Sequence, residues 1–155
     1  MLEVFHIVPA NLRSSVLLPL GALLVAVFVV VGLLFVASIR GSRASTFELS
    51  PDGLRVRGDV YGRRVPVADL RGGAAKVIDL QADGALRPVR RTMGTVLPGY
   101  RAGWFRLADG EKALVYVTDP RRVVYVPTRA GYSLLLSVDR PAEFVERLQA
   151  IAPGG

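Results

Sequence analysis

The stretch Thr46–Arg57, with the sequence TFELSPDGLRVR, decides the fold class of this 155-residue chain. Apolar and polar residues alternate on both sides of a central Pro-Asp-Gly turn at 51–53. A period of two is typical of half-buried strands, and such a turn between two of them indicates an antiparallel hairpin. The pattern therefore predicts a β-rich domain that begins near residue 46.

Further short segments of the same kind follow this hairpin along the chain. The predicted strands cover 60–67, 74–80, 102–107, 113–118, 123–127 and 132–138. Turn residues such as Asp109-Gly110 separate several of them. Short strands at this spacing are typical of a sandwich or a barrel.

The hydrophobic period changes near the C-terminus. After Asp139, the apolar residues Phe144 and Leu148 fall on one face of a helix that ends near Pro153. Asp139 is the predicted N-cap, and Pro141 suits the first turn because it needs no backbone donor there. We expect this helix to cover an open end of the barrel and to bury Phe144 and Leu148 against the strands.

This order of elements resembles the membrane-anchored branch of the bacterial pleckstrin-homology (PH)-like domain family. The resemblance covers about residues 46–151 and is carried by Phe47–Val56 (FELSPDGLRV), Tyr61–Leu70 (YGRRVPVADL), Arg91–Leu107 (RTMGTVLPGYRAGWFRL), Ala113–Thr118 and Val123–Thr128. It implies a mainly β fold, a split barrel of about seven antiparallel strands capped by a C-terminal α-helix. It also implies no enzymatic activity and no established ligand, and the phosphoinositide signature of eukaryotic relatives has no residue-by-residue counterpart here.

An uncharged apolar run of 24 residues, 16–39, precedes the domain. About 20 such residues suffice to cross a hydrocarbon core, and the run lacks the polar period of a soluble helix. We therefore predict a transmembrane helix at 16–39, between an N-terminal flank (1–15) and a linker (40–45) that leads into the domain (46–152). A cleaved signal peptide and a buried core helix are the alternatives, but the run is long for either.

Basic residues on the two sides of this run predict its orientation. Arg13 precedes it, whereas Arg40, Arg43, Arg55 and Arg57 follow within a short distance. Cytoplasmic flanks carry the excess of basic residues. The sequence therefore predicts a single-pass protein of the cell membrane, with the bilayer as a partner through 16–39 and the C-terminal domain in the cytoplasm.

Composition excludes several kinds of chemistry. The chain has no cysteine and one histidine, His6, so thiol nucleophiles, Cys-ligated zinc and His-based catalysis have no basis. The run Gly94–Gly99 has phosphate-loop glycine spacing, but Tyr100-Arg101 follows it instead of Lys-Ser/Thr, which favours an ordinary loop with unusual glycine angles. We expect no catalytic residues, no metal and no cofactor.

The basic residues are the best candidates for contacts with a partner. The net charge is +7, and residues 85–108 and 120–138 contain arginines but no acid. Arginine pairs well with phosphate, and each cation near an anionic leaflet contributes about 1 kcal/mol. The candidate contact residues are Arg63, Arg64, Arg90, Arg91, Arg101, Trp104, Arg121 and Arg122. The alternative is that these arginines are simply solvated surface residues.

Two interpretations are open for Trp104. With Tyr100 and Arg101 it can form a loop that dips into lipid headgroups, where tryptophan and tyrosine concentrate. Alternatively, Phe105 and Leu107 point into the barrel while Trp104 shields its rim.

The function predicted from all this is a non-enzymatic interaction module at the membrane surface. Its partner is another protein, a second copy of the chain or anionic lipid headgroups. The alternative is a domain that senses or carries a small molecule in the mouth of the barrel. Nucleic acid is not an expected partner, because the net charge is moderate and the predicted anchor argues against it.

Overall fold

The computed structural model describes residues 14–43, 45–58 and 60–154. The chain divides into two compact units, and the boundary along the chain falls between residues 39 and 40. Most of the predicted N-terminal flank, 1–13 with His6, lies outside the described residues.

Helix α1 spans Ser14–Arg43, and its residues up to 39 belong to the first unit. This helix is longer than the predicted 16–39, so residues 40–43 of the predicted linker are helical. Its described large apolar side chains are exposed, from 41% at Val36 to 76% at Phe28. Within the described ranges, no helix combines the length and the apolarity that a membrane crossing requires. The membrane-spanning role of 16–39 therefore stays a prediction.

The second unit is mainly β, with one helix at its end. Its elements are β1 (Thr46–Ser50), β2 (Gly53–Arg57), β3 (Arg64–Pro66), β4 (Lys76–Ile78), β5 (Pro88–Leu97), β6 (Tyr100–Leu107), β7 (Lys112–Val117), β8 (Val123–Pro127), β9 (Ser133–Leu136) and α2 (Pro141–Ile151). Two single 3-10 turns, Val67–Asp69 and Gly72–Ala74, connect β3 to β4. The hairpin predicted from TFELSPDGLRVR is confirmed, since β1 and β2 pair antiparallel from Thr46↔Arg57 to Ser50↔Gly53.

The strands form two separate sheets, which do not close into one barrel, where the resemblance implies a split barrel. One sheet has the order β1-β2-β3, and the other has the order β4-β8-β9-β7-β6-β5. The described residues thus hold nine strands, against the about seven that the resemblance implies, and β7 pairs with β9 in parallel. The expectation of a purely antiparallel arrangement is therefore wrong, although a PH-like fold is consistent with the sheets and the final helix.

Strand β5 is the clearest departure from the sequence prediction. Its register with β6 shifts between Pro88 and Arg90 and again between Arg91 and Met93. Bulges of this kind insert an extra residue and destroy the period of two that identifies a strand. The sequence predicts a loop at Gly94, but this residue lies in β5 opposite Gly103, where an added Cβ would come 2.3 Å from the Ala102 carbonyl oxygen.

The core consists of two hydrophobic clusters, both within the second unit. The main cluster lies where the three-stranded sheet and α2 pack on the six-stranded sheet, and it includes Leu54, Leu114, Leu134 and Leu148. The second cluster, which includes Phe105, Leu107 and Val115, lies on the other face of the six-stranded sheet. Because alternate residues of a strand point to opposite faces, each central strand contributes to both clusters.

Helix α2 confirms most of the C-terminal prediction. Leu148 is fully buried, Phe144 is half-buried against the main cluster, and Pro141 opens the helix. The N-cap residue is Arg140, one residue later than the predicted Asp139, and no side chain caps the helix by a hydrogen bond. Proline already occupies the first position, which has no backbone donor to satisfy.

Candidate functional site

Side chains of β6 point alternately to the two faces of the sheet, and this determines which face Trp104 occupies. It points to the main cluster and is half-buried there, whereas its neighbour Phe105 belongs to the second cluster with Leu107. The loop predicted for Trp104 is therefore wrong, whereas Phe105 and Leu107 are buried in the core as the alternative interpretation expects. The indole lies on a strand and not in a loop, and Phe105 and Leu107 point away from the face that Trp104 shares.

Trp104 forms the centre of a group of aromatic rings and cations. Its ring meets the Tyr132 ring edge to face, with centroids 5.1 Å apart and planes at 82°. The Arg63 guanidinium carbon lies 4.9 Å from the Trp104 centroid and 5.7 Å from that of Tyr132. The Lys112 ammonium nitrogen lies 4.4 Å from the Trp104 centroid. We call these four residues, Arg63, Trp104, Lys112 and Tyr132, the Trp104 cluster.

The Trp104 cluster joins the two sheets. Arg63 precedes β3 in the three-stranded sheet, and its backbone carbonyl accepts a hydrogen bond from Val56 at 2.8 Å. Trp104 and Lys112 belong to β6 and β7 of the other sheet. A cation within about 6 Å of an aromatic centroid contributes about 0.5–1 kcal/mol at an exposed site. The contacts of Arg63 therefore tie the edge of one sheet to the face of the other.

A row of cations continues from Lys112 across the strands. Lys112 is the register partner of Arg106, and Arg106 is the register partner of Arg90. We call Arg90, Arg106 and Lys112 the basic row. All three side chains are exposed, and the Arg106 guanidinium donates a hydrogen bond to the Gly110 carbonyl at 2.9 Å. Like charges directly opposite each other destabilise a sheet by up to about 1 kcal/mol.

No carboxylate neutralises these cations within the described residues. The ion pairs found there lie elsewhere, at Arg57–Glu48, Arg64–Asp52, Arg140–Asp139, Arg140–Glu143 and Arg147–Glu143. The Trp104 cluster and the basic row therefore present four uncompensated positive charges on one side of the sheet. Such an arrangement attracts anions.

A second aromatic contact lies on the opposite face of the six-stranded sheet. There the Lys76 nitrogen is 5.9 Å from the Tyr125 centroid, and the Tyr125 hydroxyl donates a hydrogen bond to a Glu111 carboxylate oxygen at 3.1 Å. Burial, followed by the negative charge of Glu111, raises the pKa of Tyr125 to about 12 from 10.0. This site contains its own anion, unlike the Trp104 cluster.

The predicted site residues are only partly brought together. Arg63 and Trp104 are in contact, and Arg90 belongs to the adjoining basic row. Arg64 instead forms an exposed ion pair with Asp52 at 3.5 Å. Arg91 is the register partner of Phe105, so it lies on the opposite face from Arg90.

The other predicted arginines lie at the far end of the sheet. Arg101 is the second residue of β6, five positions from Arg106, which is about 17 Å along an extended strand. It lines an open cleft of about 460 Å³ together with Tyr100, Val117 and Pro120. Arg121 and Arg122 follow in the exposed turn before β8. These residues do not belong to the Trp104 cluster.

Sequence reasoning missed Lys112, Arg106 and Tyr132 as members of the site. Lys112 and Arg106 flank the Asp109-Gly110 turn, so a hairpin register drawn from that turn would have paired them. Nothing in the local sequence signals Tyr132, because its contact with Trp104 joins positions 28 residues apart. In the described part of the chain, no three His, Cys, Asp or Glu side chains converge to hold a metal ion.

Comparison with known families agrees with this architecture. A family model described as a bacterial PH domain matches residues 45–151. No curated protein and no solved structure matches the chain. The match covers more than half of the chain, so the chain belongs to the bacterial PH domain family.

Proposed function

We propose that this chain is a non-enzymatic interaction module that α1 anchors in the cell membrane, with its PH domain on the cytoplasmic side. The anchor is supported by the uncharged run 16–39 and by the exposed apolar side chains of α1. Apolar surface of this extent is costly in water and favourable in hydrocarbon. A permanent anchor raises the local concentration of the domain, so weak contacts at the surface suffice.

The observation that carries the interaction role is the uncompensated charge at the Trp104 cluster. Two cations contact one indole, two more follow in the basic row, and the described ion pairs involve none of them. A cytoplasmic leaflet carries negative surface potential, so a domain anchored there meets anionic headgroups continuously. Anionic lipid is therefore the favoured partner, ahead of another protein or a second copy.

The non-enzymatic part of the proposal rests on the chemistry of the chain. It has no cysteine and one histidine, which leaves few groups for nucleophilic or acid–base catalysis at neutral pH. The raised pKa of Tyr125, about 12, makes its phenol a weaker acid than usual and not an activated one.

Membrane fractionation of the full chain tests the anchor. We expect the chain in the membrane pellet, resistant to alkaline carbonate, while a chain truncated before residue 45 is released. Both core clusters consist of residues after 46, so the truncated chain keeps its own core, which circular dichroism can verify. Recovery of the uncut, folded full chain in the soluble fraction would overturn the anchor. A reporter fused to the C-terminus tests the cytoplasmic orientation.

A second candidate function is the sensing or carriage of a small amphiphilic anion. It is favoured by the open cleft of about 460 Å³ at the end of β5 and β6, which Val96, Leu97 and Tyr100 line beside Arg101. Ligand pockets are mostly apolar with a few polar groups that orient the ligand. Saturable binding of an amphiphilic anion that Arg101→Ala abolishes and Arg63→Ala leaves intact would favour this role over the first.

A further inference from the structure

We propose that the Trp104 cluster, together with the basic row, is a binding site for a phosphate monoester dianion. This inference rests on the proposed interaction role and names the chemistry of the group that the site receives. The same dianion occurs as a lipid headgroup and as a soluble phosphate ester, and both present the same oxygens to the site.

The charge balance of the site is the first argument. Arg63, Arg90, Arg106 and Lys112 are exposed, and no described carboxylate forms an ion pair with them. The nearest acid in sequence, Glu111, accepts a hydrogen bond from Tyr125 on the other face of the sheet. The fold therefore holds four positive charges together and directs the neighbouring negative charge away from them.

The strain of like charges is the second argument. The register places Arg90 opposite Arg106, and Arg106 opposite Lys112, with no alternation of sign. Each like pair weakens the sheet when nothing neutralises it. A bound anion removes this repulsion, so binding gains energy from the repulsion as well as from direct contact. Singly charged carboxylates relieve it less than a dianion does.

The geometry of the donors is the third argument. A guanidinium presents several N–H groups in a planar fork that matches phosphate oxygens, and an ammonium adds a compact charge. Both kinds of donor meet at Trp104, where Arg63 and Lys112 lie within 5 Å of one ring centroid. The quadrupole of the indole attracts both cations, so the ring holds the two kinds of donor near one point.

The chain supplies its own reporter for this site. Trp104 is the single tryptophan among 155 residues, so intrinsic tryptophan emission comes from the proposed site alone. The test uses the full chain in neutral detergent micelles, titrated with glycerol 3-phosphate at constant ionic strength. Acetate is the control anion, and equilibrium dialysis of labelled glycerol 3-phosphate gives a readout independent of emission.

We expect a saturable change in Trp104 emission with glycerol 3-phosphate and none with acetate. Arg63→Ala and Lys112→Met should each weaken binding about tenfold or more, since each removes a charge-assisted contact. Arg64→Ala is the matched control, because Arg64 is the chain neighbour of Arg63 but pairs with Asp52, and it should bind normally. An equal response to acetate, no saturation, or undiminished binding in both site variants would overturn the proposal.

A separate arm distinguishes the two sources of the dianion. The chain truncated before residue 45 is mixed with phosphatidylcholine vesicles that contain or lack phosphatidic acid, whose headgroup is a phosphate monoester. Vesicle binding that exceeds the affinity for glycerol 3-phosphate identifies the lipid as the source, and the reverse identifies a soluble ester. A response to glycerol 3-phosphate in a chain that fractionates as soluble would keep the site and remove the anchor. A chain that stays in the membrane pellet after carbonate treatment but does not respond to glycerol 3-phosphate would keep the anchor and remove the site.

Discussion

The two lysines of the chain lie over aromatic rings on opposite faces of the same sheet, and they differ in their surroundings. Lys76 is 5.9 Å from the Tyr125 ring centroid, beside a Tyr125 hydroxyl that is hydrogen-bonded to Glu111. Lys112 is 4.4 Å from the Trp104 ring centroid, which Arg63 also contacts. The Tyr125 site contains a carboxylate, whereas the Trp104 site adds a second cation.

The charges at the Tyr125 site balance one another, whereas those at the Trp104 site do not. A cation, a ring and a carboxylate satisfy one another, so the Tyr125 site needs nothing from outside. At Trp104 the ring attracts both cations but cannot neutralise them, because a ring quadrupole carries no net charge. The same kind of contact therefore stabilises the fold at one face and leaves charge available for a ligand at the other.

Removal of the Trp104 ring should have the largest effect on the free energy of unfolding. Trp104→Ala is expected to lower the free energy of unfolding by about 2–3 kcal/mol, because packing on the main cluster and two cation–π contacts are lost together. Tyr125→Ala should lose less, about 1–2 kcal/mol, since its ring packs on the smaller cluster. Urea denaturation followed by circular dichroism measures both. Equal losses would remove the energetic difference between the sites.

Charge reversal at the two lysines should act in opposite directions. Lys112→Glu places a carboxylate opposite Arg106, and the relief of like-charge repulsion there offsets the lost contact with Trp104, so the free energy of unfolding should stay constant or rise slightly. Lys76→Glu adds a negative charge near Glu111 and should lower it by about 0.5–1 kcal/mol. Both effects should shrink in concentrated salt, which screens exposed charges. A stability loss for Lys112→Glu as large as that for Lys76→Glu would show that the Trp104 site has no excess of positive charge.

The titration of Tyr125 gives a smaller and more local test. Glu111→Gln should lower the pKa of Tyr125 from about 12 towards its ordinary value, because the negative charge that opposes ionisation is removed while burial persists. The tyrosinate absorbance of each protein, minus that of its Tyr125→Phe counterpart, isolates this titration from those of the other tyrosines. An unchanged midpoint would mean that burial, with the charge of Asp109, raises the pKa without a contribution from Glu111.

The same pKa predicts how stability depends on alkaline pH. Tyr125 stays protonated in the folded protein up to about pH 12, whereas the phenol of the unfolded chain ionises near pH 10. The contribution of Tyr125 is therefore complete below pH 10 and is lost as the pH rises through 12. In Tyr125→Phe, unfolding free energy should fall less steeply over this interval than in the unaltered chain.

The sequence predicts the hairpins and the last helix because their signals are local. A Pro-Asp-Gly turn with alternating flanks fixes β1 and β2, and the 3.6 period of Phe144 and Leu148 fixes α2. Strand β5 is not predicted, because two bulges interrupt its alternation and none of its residues is buried. A strand with little buried surface leaves little hydrophobic pattern to detect.

The candidate site is harder to predict because it depends on register. Arg63 and Arg64 are indistinguishable in the sequence, yet one contacts Trp104 and the other contacts Asp52. Arg63 immediately precedes β3 and Arg64 begins it, and consecutive residues of an extended chain point in opposite directions, so this pair does not share one surface. Tyr132 meets Trp104 only because β6, β7 and β9 are neighbours in the sheet, which no short motif encodes.

Those two adjacent arginines provide the smallest predicted effect. Arg64→Ala removes an ion pair with Asp52 at 3.5 Å between two exposed side chains, and such pairs contribute between nothing and about 0.5 kcal/mol. Arg63→Ala removes contacts to two rings and should lower the free energy of unfolding by about 1 kcal/mol. Arg63→Lys should restore part of that loss, because an ammonium keeps the charge but not the planar stacking. If Arg64→Ala destabilised the domain as much as Arg63→Ala, contact with the rings would not distinguish the two arginines.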